Sequence, residues 1–119
     1  MARDAPTIDA YGDGGFRLAG ARHEGSVLIL ADTARPWPVT SMAELSLAAF
    51  QDVLAVGPSE VEFVLLGTGA RNALPPREVR DGLRTAGMGL EFMDTVAAAK
   101  LYNLLTSEGR KLAAALIAV

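Results

Sequence analysis

Gly67-Thr68-Gly69 closes the apolar run Val61-Glu62-Phe63-Val64-Leu65-Leu66, and Asp94-Thr95 closes a second run, Gly89-Leu90-Glu91-Phe92-Met93. Glycines allow close approach to the backbone, and amide N–H groups at a turn or helix start can hold an anion. Arg71 follows in the loop, and a helix opened at Thr95 carries Tyr102 and Asn103 past Asp94. Together Gly67, Thr68, Gly69, Arg71, Asp94, Thr95, Tyr102 and Asn103 form the candidate ligand or partner site. The spacing is neither a dinucleotide fingerprint nor a Walker loop, because no third glycine stands in register and no Gly-Lys-Ser/Thr follows. A structural reading of the same residues stands beside the chemical one. In it the glycines make a tight turn, and Asp94 or Thr95 caps the next helix.

No catalytic residue emerges elsewhere. The chain has no cysteine, which excludes thiolate nucleophiles, disulfides and zinc ribbons. Its one histidine, His23, sits beside Glu24 in a turn-like stretch and reads as a surface residue. No metal site and no cofactor site follow from such a set. Asp81, Glu91 and Asp94 show no spacing that fixes a carboxylate pair. Arg77, Arg80 and Arg84 share one side of a helix, but Glu78 and Asp81 interrupt them, and a solvated face is the plainer reading. Trp37, between two prolines, reads either as an exposed anchor or as a plug at the core edge.

The elements that must position these residues follow from hydrophobic period. The run 61–66 lacks polar alternation, as in a strand covered on both faces. After Pro76, the residues Val79, Leu83 and Ala86 recur at helical spacing until Gly87, and 89–94 reads as the next strand. The result is a right-handed β-α-β unit whose carboxyl strand ends bring Gly67-Thr68-Gly69 near Asp94-Thr95, where open α/β sheets bind ligands. A third helix from Thr95 to Gly109 has Ala97, Leu101, Leu104 and Leu105 on one face. An earlier helix from Leu45, with Leu47, Phe50, Val53 and Leu54 inward, stops at Gly57-Pro58.

Upstream, Gly12, Gly14, Gly15, Gly20 and Gly25 punctuate short apolar segments, including 15–18 and 26–30, which predicts an N-terminal β meander. Arg35-Pro36-Trp37-Pro38 then breaks regular structure. The tail from Arg110 to Val119 is ambiguous: its alanines favour helix, while a short apolar run also suits a buried strand.

With 119 residues the chain fits a single domain over 1–119, and half hydrophobic residues suit a folded globular protein. A net charge of −3 argues against a general nucleic-acid binder. The longest apolar run, 112–119, is far short of the roughly 20 residues a membrane-spanning helix needs. The N-terminus, Met1-Ala2-Arg3-Asp4-Ala5-Pro6, lacks the apolar centre of a secretion signal. The expectation is a soluble cytoplasmic protein.

An ordered set of motifs carries the reading further. Leu65-Leu66-Gly67-Thr68-Gly69, Leu74-Pro75-Pro76, 89–95, Ala98-Ala99, Tyr102-Asn103 and Glu108-Gly109-Arg110 resemble the small family that includes mitochondrial NADH dehydrogenase (complex I) assembly factor 3. Many bacterial members of that family have no assigned function. The resemblance implies an α/β three-layer domain with a mixed central sheet and a final strand, about 111–117, antiparallel to its neighbours. It also implies a non-catalytic interaction or assembly role, with complex I subunits or other assembly factors as partners and a peripheral place at the inner membrane. The alternative from the residues themselves is a small-molecule or anion-binding protein, or a minor enzyme, with its site at the strand ends.

Overall fold

The computed structural model describes residues 5–119. Residues 1–4, within the stretch read for a secretion signal, lie outside the described part. A five-stranded mixed sheet forms the middle layer, in the order β5 (Thr33–Pro36), β4 (Val27–Leu30), β8 (Leu112–Leu116), β6 (Phe63–Gly67), β7 (Gly89–Met93). The central strands are the most apolar in the chain: every residue of β4 and β6 is buried, as are Ala113 to Leu116 of β8. Strands covered on both faces have no reason to alternate polarity.

β6 pairs in parallel with both β7 and β8, whereas β4 pairs antiparallel with β5 and β8. The expectation of a last strand antiparallel to its neighbours therefore holds toward β4 and is corrected toward β6. The reason is the connection. Helix α3 (Thr95–Ser107) carries the chain back to the end where β7 began. The strand that follows such a crossover runs parallel to the strand before it.

Helix α2 (Arg77–Thr85) covers one face, where Val79 and Leu83 join Val64 and Leu66. Helix α3 covers the other, where Ala98, Ala99 and Tyr102 join Phe63 and Leu65. The chain steps one strand outward through α2 and two strands back through α3. Crossovers of one hand that travel in opposite directions must use opposite faces.

The meander is present as β1 (Ile8–Gly12), β2 (Gly15–Leu18) and β3 (Ala21–Glu24), an antiparallel sheet in that order. It shares the α3 side of the core, since Ile8, Phe16 and Leu18 cluster with Tyr102 and Leu116. The segment 26–30 instead enters the large sheet as β4. Arg35 and Pro36 do not break structure as expected but finish β5, because a proline is tolerated on an edge strand. Trp37 plugs the core: it is buried, its ring centroid lies 5.7 Å from that of Phe50, and its Nε1–H donates to the Ala49 carbonyl at 3.0 Å.

The helix expected from Leu45 is shorter than its period suggests. The chain makes two single 3-10 turns, Met42–Glu44 and Leu47–Phe50, before a short α1 (Gln51–Val56). Glu44 closes the first turn by accepting from the Thr40 and Ser41 amides at 2.6 and 3.2 Å. Leu45 and Ser46 are then extended, and the Leu47 amide donates to Glu78 Oε1 at 3.2 Å. These local partners compete with continuous helix while still burying Leu45, Phe50 and Val53.

Candidate functional site

The carboxyl ends of β6, β7 and β8 meet around Thr95. Its N–H donates to the Gly69 carbonyl at 2.9 Å, and its Oγ1 donates to the Ile117 carbonyl at 2.7 Å while accepting from the Gly69 amide at 2.9 Å. Thr68 ties the turn to β7: its N–H donates to the Met93 carbonyl at 2.8 Å, and its Oγ1 donates to the Arg71 carbonyl at 2.7 Å. The Ile117 amide donates to the Gly67 carbonyl at 3.0 Å. Thus the first residue of α3 occupies the crevice that open α/β sheets usually leave for a ligand.

The two glycines serve different ends. A Cβ on Gly67 would lie 2.9 Å from Thr95 Oγ1 and 3.0 Å from Leu116 Cδ2, so this position is glycine for space. Gly69 has φ +104°, so it is glycine for conformation. Asp94 is the helix cap, its Oδ1 accepting from the Ala97 amide at 2.9 Å. Thr95 lies just inside the helix instead. The amides of Thr68 and Gly69, which an anion would need, are both engaged within the chain. The Arg71 side chain is exposed, and Leu74 in the same loop is 64% exposed.

Tyr102 and Asn103 stand apart from this joint. Asn103 pairs with the backbone of Ile8 through both amide atoms: Oδ1 accepts from the Ile8 N–H at 2.9 Å, and Nδ2 donates to the Ile8 carbonyl at 2.9 Å. Tyr102 is buried, and its hydroxyl donates to the Pro6 carbonyl at 2.8 Å. The dipeptide docks the meander on α3. Of the arginines after Pro76, Arg84 bridges Asp81 and Arg80 donates to the Pro75 carbonyl at 3.0 Å.

Sequence reasoning missed a concavity elsewhere. An open depression of about 450 Å3 is lined by Phe63, Glu91, Leu101, Leu105 and Arg110. It lies beside the first residue of β6, away from the Gly67 turn. The Arg110 guanidinium sits 5.3 Å from the centroid of Phe63. No spacing signal could have found it, because its residues come from two strands, a helix and a loop. Helix α3 turns Thr95, Ala98, Ala99 and Tyr102 fully inward, while of the leucines that share a face Leu101 and Leu105 are only partly buried against the same cluster and Leu104 is 55% exposed. Small residues let the helix approach the sheet, which leaves Leu101 and Leu105 at the wall of the depression.

The chain is matched over residues 8–117 by the profile of a protein family of unknown function (DUF498/DUF598). The chain belongs to this family. Among DUF498 relatives, an uncharacterised protein of Rhodobacter capsulatus is 40% identical over 112 residues, covering 92% of this chain and 82% of that protein. NADH dehydrogenase [ubiquinone] 1 alpha subcomplex assembly factor 3 of Mus musculus is 33% identical over 110 residues, covering 92% of this chain and 59% of that protein. The chain thus spans about three fifths of the length of that assembly factor. Among solved structures, one described as an outer membrane protein from Bartonella henselae superposes with a TM-score of 0.89 at 33% identity, covering 100% of this chain and 99% of the other. Another, from Bordetella pertussis and described as a Mth938-like domain, gives 0.84 at 30% identity, covering 99% and 89%. Among the described residues, no helix is long and apolar enough to cross a membrane.

Proposed function

We propose that this DUF498 protein is a non-catalytic interaction module that supports assembly of the respiratory NADH dehydrogenase. The observation that carries the reading is the 33% identity to assembly factor 3 across 92% of the chain. The internal use of the Thr68, Gly69 and Thr95 polar groups supports it, because it favours a structural joint over a reaction centre. Its partners are then complex I subunits or other assembly factors, met at the inner membrane surface. Of the residues at the strand ends, Gly67, Thr68, Gly69, Asp94 and Thr95 hold the loop in shape, and Arg71 with the exposed Leu74 makes the contact.

Deletion of the gene in the source organism tests this. The expected result is reduced assembled NADH dehydrogenase on native gels, restored by the wild-type chain. Replacement with Arg71→Glu, Leu74→Ser should restore it poorly while yielding a folded protein in normal amount. Crosslinking should recover subunits or factors of the complex from the wild-type strain. Normal complex in the deletion strain, with no such recovery, rejects the proposal.

A further inference from the structure

The outer edge of β7 is bare. β7 ends the five-stranded sheet, pairing with β6 on one side and with no strand on the other among the described residues. Two bonds fix which way its backbone groups point. The Gly89 N–H donates to the Glu62 carbonyl, and the Met93 carbonyl accepts from the Thr68 N–H. Backbone groups alternate sides along a strand, so those of Gly89, Glu91 and Met93 turn toward β6. The N–H and C=O of Leu90 and Phe92 therefore face outward. The opposite edge is guarded differently. There β5 is short, ends in Pro36, and carries Arg35 at 3.8 Å from Asp52.

The side chains along β7 say what would pair there. Leu90 and Phe92 are half-buried against the cluster beneath α2. Glu91 projects to the opposite face, at the rim of the depression formed with Phe63, Leu101, Leu105 and Arg110. It is exposed and has no ion-pair partner among the described residues. Added strands gain affinity from main-chain bonds and specificity from alternate side chains. Directly opposed residues favour apolar pairs and opposite charges.

We infer that β7 accepts an extended segment of a partner protein as a sixth strand. That segment reads apolar-basic-apolar opposite Leu90, Glu91 and Phe92. A second copy of this chain fits less well. Antiparallel pairing that matches Leu90 with Phe92 of the other copy sets Glu91 against Glu91 at the closely spaced position, where like charges repel. The inference deepens the interaction-module reading and rests on it.

The test is selection of a randomised dodecapeptide display library on the full chain and on its Glu91→Lys variant. The wild type should enrich apolar-basic-apolar peptides, and Glu91→Lys should enrich acidic-centred ones. A synthesised wild-type peptide should bind the variant about three- to tenfold more weakly. Amide exchange should slow at Leu90 and Phe92 when it binds. Circular dichroism checks that Glu91→Lys is folded, and Glu91→Gln gives an intermediate affinity. Absence of enrichment, enrichment indifferent to residue 91, or protection elsewhere overturns the proposal. Concentration-dependent protection of the same two amides without peptide overturns it in favour of a second copy. Normal NADH dehydrogenase in the deletion strain would instead reject the assembly reading, while peptide capture at the edge would still be read.

Discussion

Thr95 shows how far a residue's type can be from its task. In the sequence it reads as a helix cap or as a hydroxyl for a ligand; in the fold it is wholly buried and joins β6, α3 and the chain after β8. Asp94 does the capping. Thr95→Val keeps the shape but leaves the Gly69 amide and the Ile117 carbonyl without their partner. The expected loss is about 2–4 kcal/mol, from two buried polar groups left unpaired, measured by urea unfolding. Thr95→Ser should keep most of the stability. If Thr95→Val unfolds at the wild-type urea concentration, the joint contributes nothing. The crowding at Gly67 leads to a companion expectation: Gly67→Ala loses about 1–3 kcal/mol through overpacking.

At the scale of elements, α3 reverses the usual weighting of leucine over alanine. Ala98 is wholly buried against the sheet, and Leu104 is 55% exposed. Ala98→Leu should cost about 1–3 kcal/mol by forcing helix and sheet apart, whereas Leu104→Ala should stay within about 0.5 kcal/mol. Thermal unfolding of the two variants decides this, and the opposite ranking would mean that the helix is rotated. The N-terminal meander depends on the same helix. Asn103 imitates a neighbouring strand for Ile8, accepting and donating at 2.9 Å each. Asn103→Ala should speed amide exchange at Ile8 and along β1 while leaving β6 and β8 protected. Uniform exchange across all strands would show that the meander and the large sheet open together.

For the whole molecule, stability draws on two apolar clusters, one on each face of the sheet, with exposed charge adding little. The acid limb is where charge becomes visible. Hydrogen bonds from Thr40 hold the Glu44 carboxyl below its ordinary 4.5, and those from Arg22 do the same for Glu24. A group with a lowered folded pKa contributes stability that is present above its unfolded value. That contribution is lost as pH falls through the folded one. The melting temperature should therefore hold above about pH 4.5 and decline below it, and Glu44→Gln should make the decline shallower. An identical acid limb in that variant would remove Glu44 from the account.

The sequence by itself determined β4, β6 and β7, because short apolar runs bounded by turn residues have few other ways to hide, whereas it read the end of β5 as a break and left the tail that becomes β8 open between helix and strand. It also determined the meander, the helix after Pro76 and the family signature from Gly67 to Arg110. Tertiary structure alone decided which residues of α3 face inward, since helical period marks a stripe of leucines and a stripe of alanines without saying which the sheet can accommodate. It likewise decided that Gly67, Gly69 and Thr95 form one packed joint, and that Tyr102-Asn103 serves β1. Those contacts join residues 22 to 96 positions apart, and no local rule reaches across such separations. The bare edge of β7 belongs to the same class. A strand's sequence shows that it will pair, and only the order of the sheet shows on which side it has not.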